Sequence, residues 1–418
     1  MDRRALLTGS VAVGASALTS GLAPGRASAS TGLTALHEAM AARIARGELV
    51  GIVYLVAHGG AVHVDTIGRK SLDSDEPIRR GTPFRIASLT KPIIGAATMM
   101  LVEDRKLALD EPVDRLLPEL ANRRVLTRLD GPLDQTVPAT RPITVEDLLT
   151  FRMGYGLILD PFEPDDYPII AAAKNLRLTM AEPYPPSPHE PDEWIRRFGT
   201  LPLMAQPGER WQYNAGSLVL SVLIARASGK SLPDFLRERV FRPLGMRRTG
   251  FSVSARDAAR LPDLYQSNPE TGQLELSSWF PPHELTQPPA FPSGASGLMS
   301  TIDDYLAFSQ LLRNRGVHHG RRLLSAESVR LLTTNHLTPQ QAAGGGFVLN
   351  GRGWGYCMAV SVTPDEVSQP GRYGWEGGFG TVWFTDPNRD LTAIALTQSL
   401  NFLFNGGAAE FQRLAARV

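Results

Sequence analysis

The chain has a single cysteine among its 418 residues, Cys357, so no disulfide can close within it. It also lacks an excess of charge: 43 Lys and Arg face 42 Asp and Glu, for a formal net charge of +1. No basic stripe runs along any segment, which argues against a nucleic-acid partner. The eight histidines are scattered, and neither His-Glu-x-x-His nor Cys-x-x-Cys spacing occurs, so no metal and no organic cofactor are expected. The Gly344-Gly345-Gly346 run lacks the lysine and helix of a phosphate-binding loop, and there is no Gly-x-Ser-x-Gly elbow. No internal repeat appears. Lysine itself is scarce, with five against 38 arginines.

Long apolar runs are missing as well. The best one lies at the N-terminus, where Met1-Asp-Arg3-Arg4 precedes a small-residue and apolar stretch ending at Ala27-Ser28-Ala29. This reads as a twin-arginine-like export signal over residues 1–29, cleaved near Ala29 and leaving no stable membrane span. The protein is then expected outside the cytoplasmic membrane, in the periplasm or beyond. Its oligomeric state is left open.

What remains has an ordinary globular balance, 43 % hydrophobic and 20 % charged. Leu33, Leu36, Met40 and Ile44 stand at helical spacing and predict a helix over 32–47. Strands are predicted at 51–57 and 61–66 around a His58-Gly59-Gly60 turn, then again at 356–362, 380–385 and 392–397. Helices are predicted at 93–106, 144–149, 214–228, 231–240, 302–313 and 408–416. Two proline-rich stretches, 181–191 and 280–292, interleave aromatics and read as ordered loops. The expected fold is α+β. N- and C-terminal segments (about 30–85 and 290–418) pair in one antiparallel sheet flanked by helices, with a mainly helical region (about 86–289) inserted between them. A seam of this kind is a usual place for a pocket.

The chemistry concentrates in Ser88-Leu-Thr-Lys91. Positions i and i+3 of a helix share a face. A serine needs a base within hydrogen-bond reach to become a nucleophile, and an arginine could not replace Lys91 because it does not give up its proton. The same residues also suit an ordinary helix start. Pro92 requires the helix to begin within a few residues of Ser88, since proline is tolerated only in the first turn. Two further segments stand out. Pro207 to Gly216 contains Trp211-Gln-Tyr213-Asn214 ahead of a helix, and Arg372 to Thr381 contains Trp375-Glu376-Gly377-Gly378 ahead of a strand.

Taken together and in this order, these motifs resemble the serine β-lactamase and penicillin-binding-protein superfamily. The resemblance is strongest to class C β-lactamases and the lactamase-like (family VIII) carboxylesterases. It spans most of residues 32–418, with Phe84 to Lys91, Arg239 to Met246 and Gly294 to Tyr305 as framework landmarks. It implies a β-lactamase-like fold and a serine hydrolase. Ser88 would be the acylated nucleophile, Lys91 the lysine of the first motif and Tyr213 the proton-shuttling phenol. The backbone N–H groups of Ser88 and Gly378 would form the oxyanion hole. Asn214, Trp375, Glu376 and Gly377 would meet substrate.

Two departures bear on substrate. Asn214 follows Tyr213 directly, where the resemblance expects one residue between them, and Trp375 stands where a lysine is expected. A tryptophan offers apolar area and one N–H donor in place of a charge. An inward Glu376 would repel a carboxylate. The expected activity is therefore a carboxylesterase acting on small uncharged esters. A β-lactamase, a D-alanyl carboxypeptidase or D-aminopeptidase acting on an amide, and a penicillin-binding sensor that does not turn over are the alternatives.

Overall fold

The computed structural model describes residues 24–418 apart from 181–183, 269 and 282. The predicted export segment therefore lies outside the described residues up to position 23, as do three positions of the first proline-rich stretch and one of the second. Eight strands form one antiparallel sheet: β1 (Gly51–His58), β2 (Ala61–Ser71), β3 (Ser74–Pro77), β4 (Gly353–Trp354), β5 (Ala359–Val360), β6 (Tyr373–Gly377), β7 (Thr381–Asp386) and β8 (Leu391–Thr397). Their order across the sheet is β4-β5-β6-β7-β8-β1-β2-β3. The two ends of the chain thus meet at β8 and β1, where Ile52 pairs with Thr397 and His58 with Leu391.

The alternating faces of these strands build two cores. Ile52, Tyr54 and Val56 point to one face, where helix α1 (Pro24–Ala45) and the C-terminal helix α5 (Gly407–Ala415) cover them through Leu36, Met40 and Phe411. Val53, Leu55, Trp383 and Ile394 point to the other, against the helical region. Two helices there are apolar nearly all round and buried: α2 (Thr90–Glu103) and α3 (Ala215–Ser228), which pack on each other. Helix α4 (Ile302–Arg313) lies against the sheet and starts at a Thr301 side chain that caps the Asp304 N–H.

The predicted helix at 302–313 and the strand at 392–397 agree with the structure to within a residue. Helix α2 begins at Thr90 and places Pro92 in its first turn, where the missing N–H is harmless. The strand expected at 356–362 shrinks to Ala359–Val360; ahead of it, Cys357 takes a left-handed backbone (φ 64°) and gives its N–H to the Leu149 carbonyl (2.9 Å), outside the sheet. Its thiol is buried, as expected of a core cysteine. The helix expected over 231–240 continues past Leu236 as a wider turn, Arg237–Phe241. No helix among the described residues is long and apolar enough to cross a membrane.

Candidate active site

Ser88 sits in a short 3-10 turn, Ala87–Leu89, that runs directly into α2. Three neighbours hold this turn. Phe84–Arg85 pairs with Met299–Ser300, the Thr381 hydroxyl of β7 donates to the Ile86 carbonyl (3.0 Å), and the Tyr305 hydroxyl of α4 donates to the Leu89 carbonyl (3.0 Å). Ala87 is held at φ 46°, a left-handed conformation that costs an alanine about 1–3 kcal/mol and persists only under such restraint. The serine is left partly open to a cavity of about 750 Å³, walled chiefly by apolar side chains, to which residues of both proline-rich stretches contribute.

Lys91 follows one turn on. Helix geometry brings its Nζ to 2.9 Å from Ser88 Oγ and lets it donate to the Ala295 carbonyl at 2.7 Å. The side chain is fully buried, and none of the ion pairs among the described residues includes it. Burial without a counter-charge disfavours the ammonium and holds Lys91 well below the ordinary lysine range. A Cys357 thiolate nearby would oppose this, but burial raises that thiol above its ordinary range. Once deprotonated, Lys91 can still donate to the Ala295 carbonyl while its lone pair faces the Ser88 hydroxyl.

Tyr213 reaches the same spot from the residues ahead of α3. Its carbonyl accepts from the Leu157 N–H (2.9 Å), and Asn214 beside it takes φ 89° at the helix entry. The phenol ring is wedged among Phe151, Trp211, Trp354 and Trp375, and Lys91 Nζ lies 4.5 Å from its centre. Burial raises the phenol above its ordinary range, against its hydrogen bonds with Ser88 and Trp375. Burial thus favours the protonated phenol and the uncharged lysine, which makes Lys91 the better placed of the two to act as base.

The remaining candidates divide. Gly378 opens onto the cavity, and its N–H finds no acceptor among the described residues. Gly377 does not line the cavity. A Cβ there would lie 2.2 Å from Thr381 Oγ1 and 2.6 Å from the Ile86 carbonyl, so this glycine lets β6 close onto the serine turn and does not meet substrate. Asn214 lines the cavity, but its Nδ2 donates to the Met180 carbonyl (2.6 Å), which commits the amide to the neighbouring segment.

Trp375 is 3 % exposed and spends its N–H on Tyr213 Oη at 2.9 Å. The donor expected to face substrate instead steadies the phenol. Glu376 is not a lone carboxylate, since both of its oxygens accept from Arg352 (2.7 and 2.9 Å). Motif reasoning missed Arg352 and gave no role to Ala295 or Thr381, although both lie inside segments that it marked. Arg352 is 24 positions before its partner, with no local pattern to mark it, and the other two act through a carbonyl and a framework hydroxyl.

The β-lactamase family model matches residues 36–417. The chain belongs to the β-lactamase family of serine hydrolases. Protein Rv1367c of Mycobacterium tuberculosis is 40 % identical over 350 residues, covering 81 % of this chain and 82 % of that protein. Esterase EstB of Burkholderia gladioli is 30 % identical over 371 residues, covering 84 % and 86 %. Among solved structures, EstCE1, described as a hydrolase with promiscuous acyltransferase activity, superposes with a TM-score of 0.76 at 26 % identity, covering 94 % of this chain and 99 % of that one.

Proposed function

We propose that this member of the family is a carboxylesterase working through an acyl-enzyme on Ser88, with an uncharged ester as substrate. The observation that carries the reading is the contact between Ser88 Oγ and a buried lysine nitrogen that has no counter-charge. Neutral Lys91 takes the hydroxyl proton as Oγ attacks the ester carbonyl carbon. The N–H of Ser88, just ahead of α2, and the N–H of Gly378, just after β6, receive the developing oxyanion. The Tyr213 phenol protonates the departing alcohol and recovers its proton from Lys91. Water then enters where the alcohol left, and the same pair run in reverse releases the acid. Each well-placed proton transfer contributes about 10²–10⁴-fold.

The preference for an uncharged ester rests on the patch around Trp375: that residue stands where a lysine is expected, and Arg352 beside it is matched by Glu376. The cavity has more room than a short-chain ester needs, so a bulky acyl or alcohol group also fits. That space and its apolar walls favour a second reading, acyl transfer to an alcohol acceptor in place of water, the activity named for EstCE1. Residues 1–29 we read as directing export.

A nitrophenyl ester and a chromogenic cephalosporin, each tested on wild type and Ser88→Ala, separate the readings. Ester turnover lost in Ser88→Ala supports the proposal, and turnover undiminished there would falsify the nucleophile assignment. Fast cephalosporin turnover would promote the lactamase alternative. A burst of one acyl equivalent without turnover would promote the sensor.

A further inference from the structure

Four charged side chains line the cavity that opens over Ser88: Arg85, Glu284, Arg352 and Glu376. Of these, Arg352 and Glu376 pair with each other. The protein takes up four of the five Arg352 N–H groups. The Arg352 Nη1 donates to both Glu376 oxygens (2.7 and 2.9 Å), its Nε to the Leu349 carbonyl (3.1 Å) and its Nη2 to the Val348 carbonyl (3.1 Å). The guanidinium also lies 5.0 Å from the centre of the Trp375 ring, whose N–H holds Tyr213. Glu376 takes a further hydrogen bond from Gln412 Nε2 on α5 (3.2 Å). Both side chains remain partly exposed, 26 % and 18 %, so a ligand in the cavity feels them directly.

We propose that Arg352 and Glu376 form a charge-balanced gate that sets which charge class of ester the cavity accepts. This inference rests on the ester-hydrolase reading above. Matched to each other, the two present a nearly neutral patch beside Trp375 to a ligand charge of either sign. The two residues come from different segments, the turn after Gly346–Leu349 and strand β6, so each can be changed alone. Without the carboxylate, the guanidinium faces the ligand unmatched and attracts an anion. Without the guanidinium, the carboxylate attracts a cation. The two changes therefore push selectivity in opposite directions, which a merely structural ion pair does not do.

The test uses three nitrophenyl esters of equal chain length: the neutral hexanoate, the adipate monoester with a terminal carboxylate, and the 6-trimethylammonio-hexanoate. In Glu376→Gln the adipate-to-hexanoate ratio of kcat/KM is expected to rise about tenfold, the scale of one charge-assisted contact. In Arg352→Gln that ratio is expected to fall and the trimethylammonio-to-hexanoate ratio to rise by a similar factor. Combining the two should bring both ratios back to near the wild-type values.

Binding of the same esters to Ser88→Ala, with and without each change, reads the patch apart from turnover. An inactive wild type with shifted binding ratios would remove the esterase reading and leave the gate. Unchanged ratios, or both single variants shifting the same way, would overturn the gate. Should a variant fail to fold, the wild-type ratios still decide. A balanced patch predicts ratios nearly independent of ionic strength, and a strong salt dependence would refute it.

Discussion

Replacing Trp375 with phenylalanine removes one N–H from the Tyr213 oxygen while keeping an aromatic ring against Trp354 (centroids 4.7 Å apart) and under Arg352. The lost contact is a 2.9 Å hydrogen bond to a buried phenol, and burial already raises that phenol above its ordinary range. Without the donor, the phenolate is harder still to form, and the ring is less firmly aimed at Ser88. One such bond is worth about 1–3 kcal/mol, which predicts a loss of roughly 5- to 150-fold in rate. The loss is expected in kcat, because Tyr213 acts on the leaving group and not on ground-state binding. The smaller ring also leaves a void, so thermal stability should fall by about 1–3 kcal/mol. Steady-state kinetics on a nitrophenyl ester, with a melting curve on the same sample, check both. A variant that melts earlier yet keeps kcat within about twofold would refute the reasoning, showing that the indole only fills space.

The remaining predictions concern the serine turn. Ser88→Ala should abolish ester turnover and leave the protein unlabelled by a fluorophosphonate, read by intact mass. Lys91→Met should remove activity yet raise the melting temperature at pH 7, because folding no longer has to strip a proton from a buried lysine. The sign follows from proton counting. Between the depressed folded-state pKa of Lys91 and its ordinary value of about 10.4 the unfolded chain binds more protons, so wild-type stability rises with pH across that window and the gap to Lys91→Met closes. For the same reason kcat/KM should rise with pH along an acid limb that lies below the ordinary lysine range, and a limb near pH 10 would contradict a buried neutral base. Gly377→Ala drives a methyl into Thr381 Oγ1 and the Ile86 carbonyl, and should cost about 1–3 kcal/mol in stability along with most activity.

Local rules carried the sequence reading a long way. The contact between Ser88 and Lys91 needs only a helix turn, and Pro92 marked where that helix begins. Helix α4 forms where it was expected, and the structure adds that the Thr301 side chain caps its first turn. The two-residue strands Gly353–Trp354 and Ala359–Val360 were not legible, since so short a segment has no period to detect. Tyr213 came from its motif; its protonation state did not, because that depends on the aromatic residues that fold around it.

The one-dimensional pattern determined the fold class, the antiparallel pairing of the chain's two ends and the serine–lysine pair, since each follows from periodicity or from neighbours one helix turn apart. Only the tertiary structure decided how the indole N–H of Trp375 is used, what Gly377 is for, and that Glu376 meets an arginine from another segment. A hydrogen bond or an ion pair is a matter of which groups remain unpaired once the backbone is in place, and side chains far apart in the chain have no means of announcing that beforehand.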